Sequence, residues 1–173
     1  GRLADYIKLE GAGINPKAFL NSLPFANLTF KADVLPDLRD SVALSGKFDL
    51  ENSKPAAIDG GGIPVRSLTG AFSVNDSGAA EIDGITAGLM KDGKIRLSGG
   101  VYLQKQTLGL KAELENITSG DLLDSKISGT LNGTVNGGGT FLQPALHWSL
   151  DTGFAQSTGS LKFHKTLFRL PLS

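Results

Sequence analysis

Apolar and polar positions alternate with a period of two along most of this chain. Val42, Leu44, Gly46, Phe48 and Leu50 fall on one side of an extended segment, and Ala43, Ser45, Lys47 and Asp49 on the other. Successive strand side chains project to opposite faces, so the pattern predicts a sheet with one apolar and one solvated face. Further runs repeat it: Leu28, Phe30, Ala32, Val34; Leu68, Gly70, Phe72, Val74; Ile85, Ala87, Leu89; and Ile95, Leu97, Gly99, Val101, Leu103. Leu108, Leu110, Ala112, Leu114; Ile127, Gly129, Leu131, Gly133, Val135; and Leu146, Trp148, Leu150 continue it. Residues 5–10 predict a first strand, and Leu161 with Phe163 a last one.

The punctuation between runs is made of Gly, Pro, Asn and Asp. GAGINP at 11–16 predicts a break, with Asn15 as a helix cap, Pro16 in the first turn and a two-turn helix over Lys17 to Leu23 that Pro24 ends. Pro36 to Asp40 reads as a loop, and residues 51–64 as a long connection. NDSG at 75–78, Lys91-Asp92-Gly93-Lys94 and Gln104 to Gln106 read as turns, while TSGDLLDS and Gly137 to Gly139 read as breaks. About ten strands result, with at most two short helices. Short hairpins imply mostly antiparallel neighbours. Glycines on the apolar side, namely Gly46, Gly70, Gly99, Gly129 and Gly133, predict bends, bulges or close approaches, and space in the face. One internal echo is visible. Leu9-Glu10, a break and Phe19-Leu20-Asn21-Ser22 resemble Leu114-Glu115, a break and Leu122-Leu123-Asp124-Ser125.

Composition narrows the function. The 173 residues suffice for one domain with a core, and 23 Gly with only 7% aromatic residues suit strands and turns rather than a helical bundle. Seventeen basic residues balance 17 acidic ones, so no basic surface argues for a nucleic-acid partner. The nearest cluster, Lys162, His164, Lys165 and Arg169, suits a solvated strand end. The absence of Cys argues against a disulfide-stapled scaffold and fits the cytosol or a Gram-negative periplasm. No apolar run is long enough for a membrane-spanning helix. The chain starts at Gly1 without a Met, and it reads as a single fragment, 1–173, of a longer protein.

Groups able to do chemistry are sparse. His147 and His164 have no partner at a ligand spacing, so neither metal nor cofactor is expected. No G-x-S-x-G elbow occurs, and GGG at 60–62 and at 137–139 lacks the Lys and helix of a phosphate cradle. Asp121 and Asp124 could pair, but Asp121 equally suits the turn before a short helix. The expectation is a non-enzyme.

The segment Leu44–Leu68, LSGKFDLENSKPAAIDGGGIPVRSL, resembles a recurring stretch of the TamB family. There a strand ending in Asn is followed by Pro, by Asp with Gly, by an apolar-Pro-apolar turn and by a strand opening in Leu. Asn52, Pro55, Asp59, Gly60, Ile63, Pro64 and Leu68 stand at the matching positions, with Gly61-Gly62 where a basic residue is expected. Ile127 to Leu150 is similar to the family's glycine-rich strand, Gly, Pro, strand pattern. The resemblance implies an all-β fold, a curved β-taco: an open, elongated sheet with an apolar concave groove. It also implies a periplasmic location, a parent anchored in the inner membrane, an outer-membrane partner of the TamA type, and a part in outer-membrane protein assembly. Phospholipid or unfolded outer-membrane protein would be the cargo.

A sixteen-carbon chain left in water costs roughly 13 kcal/mol, at about 0.8 per methylene, so a carrier must shield it along its length. Ten strands at about 4.8 Å spacing give a trough on the order of 45 Å long. The expected groove lining is Val42, Leu44, Phe48, Leu50, Phe72, Val74, Leu97, Val101, Leu103, Leu108, Leu110, Leu114, Leu146, Trp148 and Leu150. Two rival readings use the same residues differently. In a closed β-sandwich or solenoid spacer they form a sealed core. In β-augmentation, the sheet edge rather than its face takes an extended client.

Overall fold

The computed structural model describes residues 7–36, 42–124, 129–153 and 156–162. They form ten strands: β1 (Ile7–Ile14), β2 (Leu28–Pro36), β3 (Val42–Asn52), β4 (Val65–Asn75), β5 (Ala79–Leu89), β6 (Lys94–Tyr102), β7 (Thr107–Thr118), β8 (Thr130–Thr140), β9 (Gln143–Asp151) and β10 (Gln156–Lys162). A 3-10 turn, Pro16–Ala18, follows β1, and a one-turn helix α1 (Ser119–Leu122) follows β7. The strands lie side by side in sequence order, and each neighbouring pair is antiparallel. The result is one open sheet that does not close into a barrel. A closed sandwich is therefore not what the described residues form.

Register assigns the faces. Residues directly opposite across a ladder share a face, and Phe30, Leu50, Leu68, Ala87, Ile95, Leu114, Gly133 and Leu150 are joined pair by pair from β2 to β9. The apolar side thus runs unbroken across the sheet. The opposite side carries charge in alternation: Glu10 faces Lys31, which faces Asp49, and Lys8 faces Asp33, which faces Lys47. Opposite charges across a ladder favour that pairing. Ion pairs of 3.0 Å between Arg96 and Glu115 and 2.6 Å between Lys111 and Glu113 lie on the same side. Hydrogen bonding and charge from Lys111 hold the Glu113 carboxyl below its ordinary range.

Several expectations change. β1 runs through Gly11–Ile14 because Gly13, at φ +69°, forms a bulge instead of ending the strand. The two-turn helix shrinks to Pro16–Ala18, although Asn15 caps it as expected, accepting from the Lys17 N–H at 3.2 Å. Phe19 and Leu20 are exposed, so no packing offsets the cost of nucleating a longer helix. Gly137 to Gly139 lie inside β8, because Leu108–Leu110 on one side and Pro144–Leu146 on the other supply complete ladders. The turn falls instead at Phe141-Leu142. Residues 5 and 6, Ile127, Phe163, His164, Lys165 and Arg169 lie outside the described residues.

Similar bulges recur. Gly13, Gly84 and Asn116 have φ of +69°, +68° and +53°, and each precedes an isoleucine: Ile14, Ile85 and Ile117. At each site the register shifts and the Ile rejoins the apolar face opposite Leu28, Leu97 or Leu131. Such bulges bend the strand and increase its twist.

Candidate functional site

The connections differ between the two ends of the strands. At one end lie the turns 76–78, 103–106 and 141–142. At the other lie residues 15–27 and 53–64, the tight turn 90–93, and α1 with residues 123–124. Among the described residues the large fully buried side chains, Leu89, Asn52 and Asp121, cluster at this second end. Ala26, Ala57 and Ile117 are buried beside them. Asn52, Leu89 and Ile117 stand on the apolar side by register, so these connections fold back over that side and roof one margin of it.

Two polar side chains fasten the roof. Asn52 Oδ1 accepts from the N–H of Asn27 and of Lys54, while Nδ2 donates to the carbonyls of Ile63 and Val65. The carboxylate of Asp121 accepts from the N–H of Lys91 (2.8 Å), Gly93 (3.2 Å) and Thr118 (2.8 Å), and from the Thr118 hydroxyl (2.6 Å). Burial is the largest influence on Asp121 and would raise its pKa. The hydrogen bonds from Thr118, Lys91 and Gly93 together outweigh it and hold the carboxyl below its ordinary value. A side chain on Gly93 would overlap this carboxylate, which accounts for glycine there.

Beyond the roof the apolar side is only half-buried. Leu44, Phe48, Leu50, Phe72, Val74, Leu97, Val101, Leu108, Leu110, Leu114, Leu146, Trp148 and Leu150 all stand on this side, and each keeps part of its surface exposed. A second sheet packed against them would bury them. Leu103 does not join them: it sits in the turn after β6, 58% exposed, and packs toward Gly78. Val42 opens β3 beside a register shift, and its side chain lies outside the described ones. The face also contains Phe30, Leu68, Ile82, Ile95, Leu131 and Val135, which the expected lining omits although they follow the alternation, and Ile85, which regains it past the bulge at Gly84.

The glycines are not uniformly open space. The Phe30 ring lies over Gly11, the Phe72 ring over Gly46, Ile85 over Gly70 and the Trp148 indole over Gly159, so most of these gaps are filled. Gly137 differs. A Cβ there would meet only Leu108 at 3.9 Å and Leu146 at 4.0 Å, leaving a shallow furrow between two leucine ridges. Gly99, at φ +124°, brings the backbone of Gly109 too close for any Cβ. Gly99→Ala should lower stability by about 2 kcal/mol or more, measured by urea unfolding, whereas Gly137→Ala should cost little.

Among the described residues no candidate chemistry assembles around this face. His147 stands on the solvated side, opposite Asn136 and Ser160. Asp121 is consumed as a cap, and Asp124 meets Asp59 through its own N–H rather than pairing with Asp121. Among the described residues no three His, Asp or Glu converge in a way that could hold a metal ion, and no helix is long and apolar enough to cross a membrane. Searches against protein-family models, curated proteins and solved structures find no match to this chain.

Proposed function

We propose that the chain is a segment of a TamB-like periplasmic protein whose apolar face shelters phospholipid acyl chains on their way between membranes. One observation carries the reading: a continuous apolar face runs from β2 to β9, and among the described residues no second layer covers it. Monomeric soluble proteins rarely leave so extended an apolar surface without a use for it. The face offers shelter without a specific pocket, since leucine, isoleucine, valine and phenylalanine line it and, among the described residues, the charged ladder positions lie on the other side. That suits a flexible alkyl chain, whose burial yields free energy in proportion to its length and needs no directional contact. Anchoring of the parent in the inner membrane and contact with a TamA-type outer-membrane protein belong to the same reading, through the resemblance around Asn52–Leu68.

Mass spectrometry of lipids co-purifying with the chain, together with titration of a fluorescent fatty acid, tests it. Stoichiometric phospholipid and saturable probe binding are expected. A chain that emerges lipid-free and leaves the probe in water refutes the reading. Gly137→Leu sharpens the test, because it fills the furrow at a backbone conformation open to any residue. Probe affinity should fall severalfold while the melting temperature holds or rises, as expected for a glycine replaced inside a strand.

A further inference from the structure

Two leaves of the roof meet over the β5–β6 turn, the first of them also bonded to the 15–27 connection through the Phe25 N–H on the Gly61 carbonyl. One leaf is the connection 53–63, held at its base by Asn52. The other is the corner 119–124, held at its base by Asp121. Both bases are buried, and each has four hydrogen bonds. Between β4 and β7 lies the β5–β6 hairpin, so the leaves must arch over its turn to touch. They touch through the Ile58 N–H, which donates to the Leu122 carbonyl at 2.9 Å, and the Asp124 N–H, which donates to the Asp59 carboxylate at 3.0 Å. This junction is exposed: Ile58 keeps 55% of its surface in solvent, and Leu123 beside it is also exposed. Beneath it Leu89 is 1% exposed. Glycines lie in both leaves, Gly60 to Gly62 in the first and Gly120 in the second, and Gly61 already holds a φ of +73°.

Buried, multiply bonded bases with an exposed, thinly bonded junction set the order of opening, since local unfolding begins where burial and hydrogen bonding are least. We infer that the contact of Ile58 and Asp59 with Leu122 and Asp124 is a clasp, and that its opening uncovers Leu89 and Ile117 and lets an apolar chain onto the face from this margin. The inference rests on the sheltering role proposed above and adds its control. The leaves part about their bases, Asn52 and Asp121 stay bonded, and the strand ladders are untouched.

The chain has no Cys, so a disulfide can be placed across the clasp without interference. Ile58→Cys/Leu122→Cys joins residues already linked backbone to backbone, and Asp59→Cys/Asp124→Cys is the second pair, should the first fail to oxidise. Stopped-flow uptake of a fluorescent fatty acid is compared in the oxidised and reduced forms of the full 173-residue chain. Oxidation should slow uptake and release at least about tenfold, reduction should restore both, and Asp59→Ala should speed uptake severalfold by removing one clasp bond. Equal rates in the oxidised and reduced forms overturn the clasp. Hydrogen exchange decides the matter without any ligand: the Ile58 and Asp124 amides should exchange faster than those of Lys91, Gly93 and Asn27. Equal protection overturns the clasp, whereas faster exchange with no probe binding in any form leaves the clasp standing and refutes the sheltering role.

Discussion

Asp121→Ala should cost about 4 kcal/mol of stability, because it orphans four buried or part-buried donors from two separate segments at once. The Lys91 and Gly93 N–H groups lose their acceptor in the β5–β6 turn, and Thr118 loses the partner of both its N–H and its hydroxyl. An unsatisfied buried donor costs roughly 1–3 kcal/mol, and water reaching the opened corner recovers part of the sum. Urea unfolding followed by tryptophan fluorescence measures the change, and a loss below about 1 kcal/mol would remove Asp121 as the fastening of this end. The same group gives the chain an acid limit. Its folded-state pKa lies below the unfolded value, so its contribution is fully present well above about pH 4 and is lost as pH falls through the folded value. Asp121→Asn removes this contribution, so its stability should be lower than wild type at neutral pH and flatter below about pH 4.

Leu110→Asp should abolish fatty-acid binding while leaving the sheet folded. Leu110 is half-buried on the apolar side and lies between Gly99 and Gly137 in the ladders. With glycines on both flanks, an introduced carboxylate reaches water in the empty face, so folding loses only the burial of one partly exposed leucine, about 1–2 kcal/mol. A bound alkyl chain would strip that carboxylate of solvent, and affinity should fall at least about a hundredfold. Circular dichroism checks the fold and fluorescence titration checks binding. Unchanged binding would show that the probe sits elsewhere. Unfolding of the variant would show a face sealed in solution.

The strands were legible because a sheet solvated on one side writes a two-residue period into its sequence, and Val42–Leu50 shows it without interruption. The period failed where strands bulge. Ile85 and Ile117 return to the apolar side three residues after Ile82 and Leu114, so strict alternation puts the remainder of each strand on the wrong face. The usable signal was a Gly or Asn directly before an Ile, since these residues tolerate the left-handed backbone a bulge demands. Within the echo of Leu9–Ser22 and Leu114–Ser125, Gly13 and Asn116 both hold positive φ, and Asn15 and Thr118 occupy the cap positions two residues later; Ser125 lies outside the described residues. The roof was not legible. Asp59 and Asp124 meet across 65 positions only because the intervening strands stack in order, and no local pattern encodes that. One residue did hint at it: Asn52 places an amide where the Val42–Leu50 series calls for another apolar side chain.

The strictly sequential order of the strands also determines how this protein yields to force. Among the described strands no crossover ties a late strand to an early one, so tension applied to the two ends of the chain loads one edge ladder at a time, bond after bond. The strands should peel off singly, β1 and β10 first, and extension should proceed in many small steps at low force. The exception is the middle of the sheet, where buried Asn52 ties the entry to β2 to the β3–β4 connection and buried Asp121 ties the β5–β6 turn to the β7 corner. That stretch should resist longest and give way last, in a single larger release.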